Sequence, residues 1–121
     1  MDESQTIAVQ TEFDVFMARM QVRKLARTIG FDITNQARIA LATSSLARVL
    51  RLGEMHQGQV MIDYLGEEEH SGLRVSCTAI ISPDFEIGPR AFTDVKWLVD
   101  ELTIEELSSS NVQVTLIKWV V

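Results

Sequence analysis

Residues 38–50 read Arg38-Ile39-Ala40-Leu41-Ala42-Thr43-Ser44-Ser45-Leu46-Ala47-Arg48-Val49-Leu50, and the interpretation of the 121-residue chain starts from them. Small and aliphatic residues dominate the stretch, which predicts a helix that a neighbouring element can approach closely. Asp32 and Thr34 are both candidate N-caps, and Gly53 is expected to end the helix at about Leu52. The residues predicted on its inner face are Ile33, Ala37, Ala40, Leu41, Ser44, Leu46 and Ala47.

An earlier helix is predicted between Thr11 and Gly30. Thr11, followed three residues later by Asp14, is a capping signal for its start, and Gly30 commonly stands just past a last turn. Apolar residues recur inside it at helical spacing, which indicates one buried face. The residues expected on that face are Phe13, Phe16, Met17, Met20, Leu25, Ala26 and Ile29.

Alternating apolar residues indicate strands at 5–10, 60–65, 73–81 and 112–121. The segment Gly66–Gly72, with its run of three glutamates, is expected to form a solvated hairpin loop. Residues 93–107 are expected to form a third helix capped by Thr93, with an exit turn at Ser108–Asn111. The order strand, helix, helix, strand, strand, helix, strand predicts an α+β two-layer sandwich. In it, three helices cover one face of a mostly antiparallel sheet of about four to five strands.

Bulk properties favour a single domain over residues 1–121, whether or not these residues are part of a longer chain. The net charge is −6, and residues 67–121 hold four basic and ten acidic residues. Nucleic-acid binding needs clustered Lys and Arg, so it is not expected. No apolar run approaches the roughly 18 residues that span a bilayer, and the acidic start Met1–Gln5 is unlike a signal peptide. A cytoplasmic protein without membrane contact is therefore predicted.

The 38–50 helix resembles the signature helix of the anti-sigma factors and switch kinases of bacterial partner-switching pathways. These are the RsbW and RsbT group of the GHKL proteins, which have the histidine kinase-like ATPase fold. The match is carried by Leu46-Ala47-Arg48, by the ending Val114–Trp119 and by the order of elements from about residue 6 onward. The resemblance implies a GHKL-like fold and regulatory partners such as a STAS-domain antagonist, a sigma factor or a phosphatase.

The ATP-binding motifs of that group are missing here. A Glu normally precedes Leu-Ala-Arg and an Asn follows it, but this chain has Ser45 and Val49. Magnesium needs oxygen ligands, and valine has none to offer. Asp84 is the candidate for the adenine-binding Asp, yet no Asp-x-Gly-x-Gly turn follows, and Gly88 alone stands where a glycine-rich lid is needed. We therefore expect these four positions to mark a vestigial nucleotide site with no catalytic residue and no cofactor.

The predicted function is accordingly that of a non-catalytic, pseudokinase-like module that acts by protein–protein binding in signalling. One alternative is a divergent ATP-dependent serine/threonine kinase, which would use Mg-ATP with Asp84 or Glu86 in place of the missing groups. Another is a structural subunit that forms a homodimer through an apolar-rich sheet edge.

Candidate partner-binding residues are cationic or aromatic. Arg19, Arg23 and Arg27 recur at steps of four, which places them along one stripe of the first helix. The stripe is either a docking strip for an acidic partner or a solvated outer face. Arg48 is expected either to face the vestigial site or to form a structural salt bridge. Trp97 is predicted to be exposed enough to act as an interface anchor.

Other reactive residues are interpreted structurally. Cys77, the only cysteine, lies in an apolar alternation and is expected to be a buried, inert thiol. His56 and His70 lie in predicted loops without ligand spacing, so a metal site is not expected. Trp119 is predicted to pack in the core or on a sheet face.

Overall fold

The computed structural model describes residues 4–67 and 69–120, with Glu67 described by its backbone alone. The expectations for Met1–Glu3, Glu68 and Val121 lie outside the described residues. The elements, in chain order, are β1 (Gln5–Val9), α1 (Glu12–Ile29), α2 (Ile33–Val49), β2 (Gly58–Glu67), β3 (His70–Ile80), α3 (Thr93–Lys96), β4 (Glu101–Glu106) and β5 (Asn111–Trp119). The five strands form one sheet in the order β1-β2-β3-β5-β4, and every neighbouring pair is antiparallel. The predicted α+β two-layer architecture is confirmed.

The central strand β3 separates a core face from an open face of the sheet. In β3, alternate side chains are fully buried and belong to the core shared with α1 and α2, whereas those between them face away from the helices. Cys77 pairs with Val60 on one side and with Val114 on the other, so the buried rows of three strands are aligned. The buried apolar residues of β3 are Leu73, Val75, Cys77 and Ala79, and Ser76 on the other face is buried as well.

Local signals at both ends of α1 act as predicted. Thr11 is the N-cap, and a capping box joins its side chain and that of Asp14 to the backbone of the first turn. Two backbone N–H donors, on Gln10 and Thr11, hold the pKa of Asp14 below its ordinary value. Gly30 closes the helix in the left-handed region at φ 107°, a conformation that costs glycine little.

The second helix begins as predicted but ends earlier. Asp32 is its N-cap and accepts the N–H of Asn35 at 2.8 Å. The helix stops at Val49 and not near Leu52, because Arg51 enters the left-handed region at φ 55°. The N–H of Leu52 then donates to the carbonyl of Ala47 at 2.9 Å, which gives a Schellman-type ending without glycine at the left-handed position.

The predicted helix over 93–107 is wrong. Only the single turn of α3 is helical, and Glu101–Glu106 form the edge strand β4, paired along its whole length with β5. Phe92, not Thr93, is the residue before α3, and the Thr93 hydroxyl donates to the carbonyl of Arg90. Leu102 is half-buried against the core, and Leu102 and Ile104 pair with the buried Leu116 and Val114 of β5, although Ile104 stays 50% exposed. The predicted turn at 108–111 is confirmed by a bond from the N–H of Leu107 to the carbonyl of Asn111.

The β2–β3 hairpin is longer than predicted. Its ladder runs out to the pair Glu67 and His70, so most of Gly66–Gly72 is strand. Packing explains why position 72 is a glycine, because a β-carbon there would come within 2.7 Å of the indole of Trp119. Among the described residues, no helix is long and apolar enough to cross a bilayer.

Candidate functional site

The two signature-helix positions provide no carboxylate or amide. Ser45 and Val49 lie one turn apart on α2, both half-buried, and Val49 packs against the hydrophobic core. The neighbouring Ser44 is buried, and its hydroxyl donates to the carbonyl of Leu41 at 3.1 Å. A general base needs a titratable group, and Mg²⁺ needs oxygen ligands. The hydroxyl of Ser45 is not a general base at neutral pH, and the isopropyl group of Val49 offers magnesium no oxygen.

Asp84 and Gly88 lie in the irregular segment between β3 and α3, and both are exposed. A β-carbon added to Gly88 would meet nothing within 4 Å, and its φ is not in the left-handed region. Gly88 therefore has neither of the properties for which a nucleotide-binding turn uses glycine, a special backbone angle or a close approach.

The start of this segment is fastened by His56, a residue that sequence analysis assigned to a solvated loop. His56 is buried, which corrects that prediction. Its Nδ1 lies 2.8 Å from the carbonyl of Leu50, and its Nε2 accepts the backbone N–H of Ser82 at 3.1 Å. The ring of Phe85 meets the imidazole edge-on at 4.8 Å. Because an N–H group only donates, these bonds require the neutral imidazole with its proton on Nδ1.

The early end of α2 explains why His56 is buried. The turn at Arg51 and Gly53 folds the chain back, and the N–H of Gly53 donates to the carbonyl of His56. No local sequence pattern predicts the burial of His56, because its contact with Ser82 joins residues 26 positions apart.

The rest of the segment packs down onto the core. Phe92 and Val95 are almost fully buried, and partly buried apolar residues pack beside them: Ile87, Ala91 and Leu98. A groove of about 240 Å³ remains between this segment and β4–β5, with Phe92, Lys96 and Ile104 in its wall. Small-molecule sites usually enclose about 300–1,000 Å³. This groove is smaller than that range, whereas a second groove of about 380 Å³ follows the start of the same segment, with Ser82, Phe85 and Glu86 in its wall.

The arginines of α1 are not equivalent. Arg19 is half-buried and its guanidinium lies 3.4 Å from the Ser44 hydroxyl, so it ties α1 to α2. Arg23 and Arg27 are exposed and line a surface groove of about 390 Å³ together with Met17 and Met20. The predicted stripe therefore consists of one arginine that joins α1 to α2 and two arginines that are exposed at the surface.

The two remaining partner candidates are both at the surface. Arg48 is exposed, and no ion pair joins it to any described side chain of residues 4–66 or 69–120. Trp97 is 83% exposed, as predicted. Trp119, by contrast, packs on the open sheet face against His70 and Gly72.

The apolar face predicted for α1 is largely wrong. Phe13, Phe16, Met17 and Met20 are exposed, with Phe13 at 65%. The buried residues of α1 are Ala18, Val22 and Ala26, which lie on the opposite side. Small residues let the helix approach the sheet closely, and this leaves the larger apolar side chains on the outside.

Cysteine and metal chemistry are also limited by the structure. Cys77 is fully buried, and burial raises the pKa of its thiol to about 12, as expected for an inert residue. Across residues 4–67 and 69–120, no three His, Cys, Asp or Glu side chains cluster as metal ligands would.

The fold is an α+β sandwich with the element order β-α-α-β-β-α-β-β. The sequence is 26% identical to the serine/threonine-protein kinase RsbT of Bacillus subtilis (strain 168), over 132 aligned positions that cover 98% of each chain. No protein-family model matches. This relative bears the name of the group that the signature helix resembles. Because 132 positions are aligned and this chain has 121 residues, at least 11 residues of the relative have no counterpart here.

Proposed function

We propose that this protein is a non-catalytic module of a bacterial partner-switching pathway, which works by binding other proteins and does not use ATP. The observation that carries the proposal is Val49. It occupies the magnesium-ligand position of the resembled helix and packs its side chain against the core. Without an oxygen ligand there, a triphosphate would keep its charge unneutralised beside an apolar surface.

Two further observations support the proposal. The segment that would have to form the lid is short of glycine and is held down at both ends, by His56 at Ser82 and by the buried Phe92. A glycine-poor segment that is anchored at both ends cannot fold over a bound nucleotide.

The partners implied by the resemblance are a STAS-domain antagonist, a sigma factor or a phosphatase. The candidate contact residues are exposed cations and one exposed indole: Arg23, Arg27, Arg48 and Trp97. Arg19 is a weaker candidate because it already contacts Ser44. An exposed Trp and free Arg side chains are the types most enriched among interface residues that contribute strongly to binding.

Phosphoryl transfer is the test of the non-catalytic claim. The chain would be incubated with γ-labelled Mg-ATP and a purified STAS-domain protein, with the RsbT relative assayed in parallel. We expect no label on the STAS protein with this chain. Transfer that scales with the amount of this chain would overturn the proposal.

The second candidate function is a divergent serine/threonine kinase, and the observation that favours it is the relative's own activity. Asp84 and Glu86 are exposed carboxylates, and Asp84 is itself one of the vestigial-site positions, so they are the residues that this function would use. A ligand that binds only the folded state raises the melting temperature by mass action. An ATP-dependent rise that disappears in an Asp84→Ala, Glu86→Ala variant would support the kinase; a flat series removes it.

A further inference from the structure

The outer side of β4 is a free sheet edge. Among residues 4–67 and 69–120, β4 is the last strand of the sheet, so one of its sides pairs with β5 and the other pairs with no strand. In an antiparallel ladder, only every second residue exchanges hydrogen bonds with the partner strand. The N–H of Leu107 donates to the carbonyl of Asn111, so this pair is hydrogen-bonded. By alternation, Leu102, Ile104 and Glu106 turn their backbone N–H and C=O groups to the free side.

Two of these outward residues also line the space beneath the edge. Ile104 and Glu106 lie opposite Val114 and Val112 of β5, whose side chains belong to the core or pack against it. The side chains of Ile104 and Glu106 are therefore on the helix-covered face of the sheet. They face the segment between β3 and α3, and each lines a groove there.

The smaller groove, of about 240 Å³, is suited to an apolar side chain. Most of its wall is apolar, and Ile87, Phe92 and Ile104 are part of it. Ile104 is 50% exposed although it lies on the core face, so the structure leaves it only partly covered. An aliphatic side chain placed beside Ile104 would remove this apolar surface from water.

The larger groove, of about 380 Å³, is suited to a cationic side chain. Its wall contains two carboxylates, Glu86 and Glu106, and the hydroxyls of four serines; no Lys, Arg or His is among the residues that line it. Carboxylates and hydroxyls accept hydrogen bonds from a guanidinium or ammonium group. Both grooves are bordered by Ile87, Glu106 and Val112, so they adjoin each other along β4. The serines are Ser82, Ser108, Ser109 and Ser110.

The geometry points to a docking site at the free edge of β4 for an extended, basic segment of another protein. In strand addition, main-chain hydrogen bonds supply affinity and pockets for alternate side chains supply specificity. Side chains two positions apart share a face and lie about 7 Å apart. The bound segment therefore has an apolar residue opposite Ile104 and, two positions away, an Arg or Lys opposite Glu106. Glu101 and Glu105, on the other face of β4, favour the same positive charge.

A second copy of the chain does not suit this edge. Pairing two β4 strands antiparallel about Thr103 would set Glu101 opposite Glu105 twice. Like charges directly opposite each other destabilise a strand pair, and charged residues on edge strands commonly prevent self-pairing. The acidic side chains thus oppose an identical strand and attract a basic one.

This inference rests on the proposed function, because it names a class of partner for a module that works by binding proteins. Its test contains no nucleotide. Failure of the docking site would therefore appear as a lack of peptide binding, whereas failure of the proposed function would appear as phosphoryl transfer.

Fluorescence anisotropy with a synthetic peptide tests the docking site. The probe is Thr-Arg-Thr-Val-Thr-Arg-Thr, with fluorescein at its N-terminus and an amidated C-terminus. Its sequence is the same in both directions, so valine opposite Ile104 brings one arginine opposite Glu106 in a parallel or an antiparallel strand. We expect saturable binding with a dissociation constant below about 100 µM. Thr-Glu-Thr-Val-Thr-Glu-Thr should bind at least ~10-fold more weakly.

A pair of charge reversals tests where the peptide binds. Glu106→Lys should weaken binding at least ~10-fold, because it replaces the carboxylate that both grooves share with a like charge. Glu69→Lys is the matched control, since Glu69 is also exposed but lies in the β2–β3 turn, at the other end of the sheet. In about 0.15 M salt, charge effects over that distance are screened, and the control should bind like the wild type.

Backbone methylation of the probe tests strand addition. Only every second N–H of an added strand points at β4. One peptide is therefore N-methylated at valine and both arginines, and another at the three central or C-terminal threonines. One of the two should lose binding, and the other should keep it.

Four results would overturn the docking site. The first is no binding of the arginine peptide, which would leave the edge to a second copy or to no occupant. The second is equal binding of the glutamate peptide. The third is unchanged binding by Glu106→Lys. The fourth is an equal effect of the two methylation patterns, which would mean that the peptide does not extend the sheet.

Discussion

His56 shows how a single side chain shapes the region where nucleotide chemistry would be expected. Its two ring nitrogens satisfy the carbonyl of Leu50 and the N–H of Ser82, which belong to segments distant in sequence. The imidazole therefore acts as a fixed bridge between the end of α2 and the segment after β3. Its polar atoms are used in structure, and none is free for catalysis.

Replacing this bridge should be costly. His56→Ala leaves a buried carbonyl and a buried N–H without their partner, and each such loss costs about 1–3 kcal/mol. We expect the free energy of unfolding to fall by about 2–4 kcal/mol in urea denaturation. Met55→Ala, at the exposed neighbouring position, should change it by less than about 0.5 kcal/mol. Equal effects of the two variants would mean that the bridge contributes little.

The folding stability of the protein is expected to fall at alkaline pH because of Cys77. Its pKa is raised from an ordinary 9.0 to about 12 by burial, so between these values the unfolded chain loses a proton that the folded chain keeps. Folding stability must therefore fall as pH rises through this window, by at most about 1.4 kcal/mol per pH unit from this group. Wild type and Cys77→Ala should converge in unfolding free energy above pH 9. Parallel curves would show that the thiol titrates normally in the folded state.

Helices and strands show where sequence patterns are sufficient and where they fail. The cap at Thr11 is predicted correctly, and the structure selects Asp32 over Thr34 among the two candidates for α2; both caps depend on residues within three positions. The helix over 93–107 fails because β4 is determined by its pairing with β5, a contact that helical spacing does not report. The inner face of α1 fails for a related reason. Both sides of the helix carry periodic apolar residues. Only packing against the sheet determines that the side with the smaller residues is buried.

Two glycine-to-alanine changes separate a glycine that packing requires from one that it does not. At Gly58 a β-carbon would lie 1.9 Å from the carbonyl oxygen of Thr78, so Gly58→Ala must push β2 away from β3. We expect a loss of about 1–3 kcal/mol of unfolding free energy. Gly88→Ala meets open space and should be neutral within about 0.5 kcal/mol. A destabilised Gly88→Ala would show that the candidate-site glycine has a structural role after all.

The whole molecule divides its charge between the helical hairpin and the rest of the chain. Residues 11–50 hold six basic and three acidic residues, although the net charge of the protein is −6. The exposed cations and the exposed apolar side chains of α1 therefore lie in a basic region of an acidic protein. Such a surface favours protein–protein association, with charge setting orientation and approach.

Sequence alone could locate the candidate nucleotide site but could not show its surroundings. Ser45 and Val49 are identified by their position beside Leu-Ala-Arg, a local motif. The packing of Phe92 and Val95 onto the core arises from contacts between distant segments, so only the fold reveals it. The exposed apolar face of α1 likewise becomes apparent only when the fold shows that the helix buries its other side.

A calorimetric titration of the full chain with Mg-ATP tests the central claim most directly. The core packing of Val49 and the anchored segment after β3 predict no binding heat up to about 1 mM nucleotide, whereas the RsbT relative should bind under the same conditions. Saturable binding by this chain, with a stoichiometry near one and a requirement for magnesium, would contradict the account.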